Sequence, residues 1–311
     1  MKNKKRFIAL MLLSVLLVLT GCGTSDKQTL VNHFNDLANQ KNSQLNFDVK
    51  VTKLDLGTKI SATDRSYVSI LKSSSLTGDL SSDGTNAKAR MKIHALEEEV
   101  PLEFVGNQDK VYLKGDFISS VYKVMSDFDA EEPDVDASIF KGKYIDVIDV
   151  LKESGELSSK QQKETAAASK STVKLQKNLA TSFKEAINSL PQDSVTKKDG
   201  VITAVLHKKD FVNLLEKFKK DLDQDKDLKE NPLNQKDIDS FNSEFKTFDY
   251  VIKYNPKANT LNYTITLAPK DGGEIQLQVN TKSKEFNDKI KLPAKSDIID
   301  AKTIMDEYED F

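Results

Sequence analysis

Leu261-Asn262-Tyr263-Thr264-Ile265-Thr266-Leu267, followed after Gly272-Gly273 by Ile275-Gln276-Leu277-Gln278-Val279, decides the fold class. Apolar residues occupy every second position in both runs. A period of two sends alternate side chains to opposite faces of an extended strand. One face is then packed and the other wet, as in an antiparallel sheet. The paired glycines mark a turn between the two strands. Upstream, Tyr250, Ile252 and Tyr254 alternate in the same way and stop at the turn signal Asn255-Pro256. Downstream, a final strand is expected near Phe286 to Leu292, before Pro293 and a short acidic tail helix.

The first third of the chain repeats the pattern. Leu45, Phe47, Val49 and Val51 alternate with polar residues. So do Ala87, Ala89, Met91, Ile93 and Ala95, and then Val100, Leu102 and Phe104. Asp83-Gly84 and Gly106-Asn107 are turn signals, and Val111 to Leu113 is a short strand ending at Gly115.

Helical spacing appears at residues 28–39 (Leu30, Val31, Phe34, Leu37, Ala38) and dominates the middle section, about 115–248. Ile118, Val121, Tyr122 and Met125 mark one face. Residues 130–138 are acidic, hold Pro133 and predict a loop. A long helix is expected over 158–190, stopped by Pro191. Val195 and Val201 to Leu206 flank Asp199-Gly200, a hairpin signal. Phe211, Leu214, Leu215, Phe218 and Leu222 make an amphipathic helix, and Ile238, Phe241, Phe245 and Phe248 predict another. Strands, then helices, then strands predict an α+β protein. The expected form is a curved antiparallel sheet covered on one face by helices, in a single domain over residues 28–311.

The chain opens with Lys2, Lys4, Lys5 and Arg6, then an uncharged apolar run from Phe7 to Leu19, then Leu19-Thr20-Gly21-Cys22. A basic start, a short apolar stretch and small residues before a cut site predict a secretory signal peptide over residues 1–21. The run is shorter than the roughly 20 residues of a membrane-spanning helix. Cys22 is the only cysteine among 311 residues, so it forms no internal disulfide and asks for another role. Leu19-Thr20-Gly21-Cys22 resembles the lipobox of bacterial lipoproteins. That resemblance implies a diacylglyceryl group on the Cys22 sulfur and cleavage just before it, with Leu19, Thr20 and Gly21 recognised by the signal peptidase. Two acyl chains anchor stably where one holds only marginally. Residues 22–27 would be a short tether. The expected location is the extracytoplasmic face of a cell membrane, and a Lys- and Asn-rich chain suits a Gram-positive one.

Loss of those four basic residues takes the formal charge from −2 to −6. An acidic body argues against nucleic acid, whose binding rests on basic contacts. It also argues against a body lying flat on anionic lipid.

Catalytic and metal motifs are weak. His33, His94 and His207 fall in different predicted elements, without paired-ligand spacing. Asp221, Asp223, Asp225 and Asp227 begin like a calcium loop, but Lys226 and Pro232 stand where the loop needs Gly and Glu. Ser171-Thr172-Val173-Lys174 fits Ser-x-x-Lys, and so do Ser69 to Lys72 and Ser120 to Lys123, without the partner motifs of penicillin-recognising enzymes. No cofactor, metal or enzymatic activity is expected. Phe211, Phe218, Phe241, Phe245 and Phe248 are the richest aromatic set and a candidate lining for an apolar ligand. Their alternative role is plain packing of two helices on the sheet.

With the lipobox and this strand order, the chain resembles the LolA/LppX-type half-barrel lipoproteins. Beyond the lipobox, the features that carry this likeness are Asp109-Lys110-Val111-Tyr112-Leu113-Lys114, the strands from Leu261 to Val279, and Ile290-Lys291-Leu292-Pro293-Ala294-Lys295-Ser296-Asp297. The resemblance implies a hollow between sheet and helices that holds a lipid or a lipoprotein. The helical middle is longer than the group's, and extra helices can fill such a hollow. Two roles follow as expectations: a carrier of a lipid or other apolar ligand, or an interaction module that holds an envelope protein or cell-wall component. A substrate-capturing transporter subunit ranks lower, since such receptors usually have two α/β lobes.

Overall fold

The computed structural model describes residues 26–39, 42–55, 57, 62–95, 98–107, 109–126, 136–155, 181–224 and 233–309. Leu19, Thr20, Gly21 and Cys22 lie outside the described residues, as do most of the loop expected at 130–138 and residues 158–180 of the expected long helix.

The chain is mixed α+β. Helix α1 (Asp26–Asn39) leads into strand β1 (Asn42–Asp55), helix α2 (Ala62–Ser73) and strands β2 (Ser75–Asp83), β3 (Ala87–Ala95), β4 (Glu98–Gly106) and β5 (Val111–Lys114). Helix α3 (Phe117–Ser126), strand β6 (Tyr144–Asp146), helix α4 (Val147–Glu153) and helical residues 181–189, here α5, come next. Strands β7 (Val195–Lys198) and β8 (Val201–His207) precede helices α6 (Lys208–Asp223) and α7 (Gln235–Glu244). Strands β9 (Phe245–Asn255), β10 (Thr260–Pro269), β11 (Glu274–Glu285) and β12 (Ile298–Ile299) and helix α8 (Ala301–Glu309) complete it. The strands follow the hydrogen-bonded order β12-β6-β5-β4-β3-β2-β1-β11-β10-β9-β8-β7. The order ends at β12 and β7. β12 runs parallel to β6, and β7 to β11 form antiparallel pairs, as do β2 to β6.

The chain forms two compact units. The first contains α1, β1 from Val49, and the described residues from 181 to 283. The second contains β1 up to Asp48, residues 69–155, and residues from 284 onward. Among the described residues of the middle section, β7 and β8 form the hairpin expected around Asp199-Gly200, and β6 is a further short strand.

In the first unit, the alternation of β10 becomes burial. Leu261, Tyr263, Ile265 and Leu267 are each 1% exposed, while Asn262, Thr264 and Thr266 stay half-buried on the other face. Leu30, Val31 and Phe34 of α1, Phe183 and Ile187 of α5, and five residues of α6 cover the apolar side. The expected helix through Ile238, Phe241, Phe245 and Phe248 is corrected. α7 ends at Glu244, and Phe245 is already extended, with φ −101° and ψ 134°. Its start is fixed by a capping box in which Asn234 accepts from the Asp237 N–H and Asp237 accepts in return. Phe241 and Phe245 share a spacing of four, and Phe245 and Phe248 one of three, so periodicity alone does not reveal the switch.

In the second unit, the strand expected near Phe286 to Leu292 is absent. β11 stops at Glu285, and residues 286–294 have no regular structure. Side chains satisfy that backbone instead. The Ile290 N–H donates to Asp83 Oδ2 at 2.9 Å, and Asn86 Nδ2 donates to the Ile290 carbonyl at 2.8 Å. The buried side chains of Ile290, Val105 and Tyr112 lock the segment down. The acidic tail helix is present as α8.

Candidate binding face

The strand register of the second unit sorts its side chains into two unlike faces. Leu76, Ile93 and Val100 are cross-strand partners, and so are Gly78, Met91 and Leu102. Leu80, Ala89, Phe104, Leu113 and Ile145 form a third row across β2 to β6. Paired residues of an antiparallel sheet point to the same side, so these rows build one continuous apolar face. Its Ile145 end packs against the buried cluster of Ile118, Phe140 and Ile304. Elsewhere Val100 is buried, and most other positions of the face are half-buried. Leu80 is 44% exposed, Ile93 36% and Val111 37%. Leu71, at 52%, is the fourth large apolar side chain exposed among the described residues. Leu80, Ile93 and Val111 stand in three different rows of that face.

Gly78 keeps this face shallow. A β-carbon there would lie 2.9 Å from Phe47 Cζ and 2.2 Å from the Arg90 carbonyl oxygen. Only glycine lets the Phe47 ring tip rest on the strand.

The opposite face of the same strands is charged. Arg90 holds Asp79 with two nitrogens, each at 3.1 Å. Lys88 pairs with Glu103 at 3.0 Å, Lys92 with Glu99 at 2.7 Å, and Lys114 with Asp116 at 2.8 Å. The Tyr144 hydroxyl donates to Glu103 at 2.7 Å, and burial together with that bond pushes its pKa up to about 12. A groove of about 440 Å³ lies among these groups. Its carboxylates each have a cationic partner, which leaves no unsatisfied acid to act as a base.

The five phenylalanines proposed as a ligand lining lie in the packed core of the first unit. Phe211, Phe218, Phe241, Phe245 and Phe248 are between 0 and 6% exposed. Phe211 and Phe248 have ring centroids 4.3 Å apart, and Phe241 lies 5.3 to 5.5 Å from Phe211, Phe245 and Phe248. The rings of Phe211, Phe241, Phe245 and Phe248 pack on one another.

The histidines meet different partners. His33 is buried and stacked on Tyr254 with centroids 4.2 Å apart. His94 Nε2 lies 3.3 Å from Thr77 Oγ1, and His207 Nδ1 lies 2.6 Å from Asp249 Oδ1. Asp221 accepts from the Ser182 hydroxyl at 2.9 Å, a structural tie between α5 and α6. Asp225 and Asp227 lie outside the described residues, as do Ser171 to Lys174. Ser69 to Lys72 falls on α2 and Ser120 to Lys123 on α3, where Lys123 faces Glu98 at 3.8 Å. Among the described residues, no group of three His, Cys, Asp or Glu side chains is placed to hold a metal, and no helix is long and apolar enough to cross a membrane.

The apolar face was hard to see in the sequence. β2 reads Ser-Leu-Thr-Gly-Asp-Leu-Ser-Ser-Asp, in which Leu76 and Leu80 are separated by Gly78 and surrounded by serines. The signal was the four-residue spacing of the two leucines with a glycine between. No protein-family model matches the chain, and no curated protein matches it.

Proposed function

We propose that the chain is an exported lipoprotein, cut before Cys22 and tethered to the membrane by a diacylglyceryl group on that cysteine. Its folded body is a non-enzymatic binder of a lipid or other apolar ligand, on a half-barrel framework of the LolA/LppX type. One observation carries the binding role: Leu80, Ile93 and Val111 are exposed on the same face of one sheet. On this reading the ligand lies against β2 to β5 rather than among the phenylalanines of α6, α7 and β9. Burying such side chains is worth about 25 cal/mol per Å² of apolar surface, which an acyl chain supplies without needing polar partners.

Mass spectrometry of the full-length chain, extracted from membranes in mild detergent, tests both halves. Under denaturing conditions the intact mass is expected to show a chain beginning at Cys22 with a diacylglyceryl addition, absent in Cys22→Ala. Under native conditions a non-covalent lipid is expected, and Leu80→Asp with Ile93→Asp should remove it. An unmodified Cys22 overturns the anchor. A native mass with no added lipid overturns the apolar ligand and favours an interaction module for an envelope protein.

A further inference from the structure

Two contacts fix where the chain enters the first unit. Asp26 Oδ1 pairs with Lys197 Nζ of β7 at 3.1 Å, and Lys27 Nζ donates to the Leu190 carbonyl. The N-terminus of α1 is thus held against β7 and against the residue that follows α5. Only Gly23, Thr24 and Ser25 stand between Asp26 and Cys22. From Cys22 to Asp26 a chain reaches at most about 14 Å, at about 3.3–3.6 Å for each residue. A lipid on Cys22 therefore keeps Asp26, and β7 with it, close to the membrane surface.

The strand register shows what else lies at this end of the unit. Ile202 pairs with Tyr254, Asn255 with Thr260, and Thr260 with Lys282. The β7–β8 turn at Asp199-Gly200, the β9–β10 turn at Pro256-Lys257 and Lys282 therefore share one end of the strands. The β10–β11 turn at Asp271-Gly272 lies at the other end, about 33 Å away along the 10 residues of β10. At the near end residues 196–200 are all exposed, as are Lys253, Lys257 and Lys282. Its carboxylates are Asp26, Asp36, Asp193 and Asp199, of which Asp26 is already paired with Lys197. Lys198, Lys257 and Lys282 form no ion pair among the described residues.

We propose that the β7–β8 end of the first unit rests on an anionic phospholipid surface, with Lys198 and Lys257 against lipid phosphates. This rests on the Cys22 anchor proposed above. The short tether brings this end to the surface, and each lysine close to an anionic surface adds attraction that fades within a Debye length. The mature chain as a whole is acidic, so contact stays limited to the end that the tether holds there. The turn at Asp271-Gly272 then points away from the lipid.

Cys22 is the only cysteine of the chain, and lipid on its sulfur leaves a thiol placed elsewhere as the sole site for a label. The test uses the full-length lipidated chain in vesicles of phosphatidylglycerol and phosphatidylethanolamine that carry a headgroup spin label. A fluorophore on Thr196→Cys of β7 is expected to be quenched at least about threefold more than one on Asp271→Cys, since about 33 Å of strand separates the two ends. Lys198→Glu with Lys257→Glu should cut the quenching at Thr196→Cys about twofold, and so should about 1 M salt, where the Debye length is near 3 Å. Equal quenching at the two positions, or stronger quenching at Asp271→Cys, would overturn the proposal. Quenching at Thr196→Cys that ignores both salt and charge reversal would overturn the phosphate contact. The intact mass is read beside it: an unmodified Cys22 sinks the anchor and this surface together, and a lipidated chain with equal quenching sinks only the surface.

Discussion

The ring of Tyr250 lies over that of Tyr263, with centroids 5.7 Å apart and planes 30° from parallel, and the Tyr263 hydroxyl meets no hydrogen-bond partner among the described residues. Both residues are 1% exposed. A buried hydroxyl without a partner costs about 1–3 kcal/mol relative to a bonded one. Tyr263→Phe keeps the ring and removes the stranded oxygen. It is expected to raise the free energy of unfolding by about 1 kcal/mol in urea titration. A loss of that size would mean that the hydroxyl is bonded through an internal water.

Phe218 decides between a filled core and a ligand lining in the first unit. It is fully buried among α6 neighbours and aromatic rings. Truncating such a ring to alanine removes its transfer free energy and leaves a cavity, at a cost of about 3–5 kcal/mol. Phe218→Ala should show that loss by chemical denaturation, with β10 amide protection falling alongside. A cost below about 1 kcal/mol would mark the ring as the wall of an open space.

Most of the strands were legible because alternation is a direct image of half-burial. Leu261 to Leu267 is the clearest case, and the structure buries each odd-numbered residue there. Two kinds of element escaped. α2 carries its larger apolar residues, Tyr67, Val68, Ile70 and Leu71, only in its second half, so the stripe spans little more than one turn. Phe286 to Leu292 looked like a strand, but Asp83 and Asn86, about 200 positions away, claim its backbone groups. No local pattern encodes so distant a partner. Alternation marks the apolar face of β3 and β4 in the sequence, but its continuation onto β2 and β5 depends on the register. Each strand supplies only two or three residues, and the face exists only once the register aligns them.

Asp83 should control the segment around Ile290. Its carboxylate accepts N–H bonds from Asn86, Ile290 and Thr85, which lower its pKa to about 2. A carboxyl whose folded value is depressed adds stability above its ordinary pKa of about 3.9, and loses it as pH falls toward the folded value. Amide exchange in residues 286–298 is therefore expected to be steady above about pH 4 and to accelerate between about pH 4 and 2, beyond the intrinsic chemical trend. Asp83→Ala should open the same segment at neutral pH, with at least about tenfold lost protection, while β9 and β10 keep theirs. Equal loss everywhere would show that Asp83 supports the whole fold rather than this strap.

His33 gives the chain a second pH dependence, in a higher window. Burial against Tyr254 lowers its pKa from the ordinary 6.5 to about 4, so the folded state holds the neutral ring. The unfolded chain takes up a proton at about pH 6.5 and the folded one does not. Stability from this site is therefore complete above about pH 6.5, declines as pH falls, and is lost at about pH 4. The span is worth at most about 3 kcal/mol, at 1.36 kcal/mol for each pKa unit. Urea titrations at intervals between pH 7 and 4 should show the decline in wild type. His33→Phe preserves the stack on Tyr254 and removes the titrating group, so its stability should vary less across that range. Identical pH profiles for the two proteins would place the acid sensitivity in carboxylates and leave His33 a packing residue only.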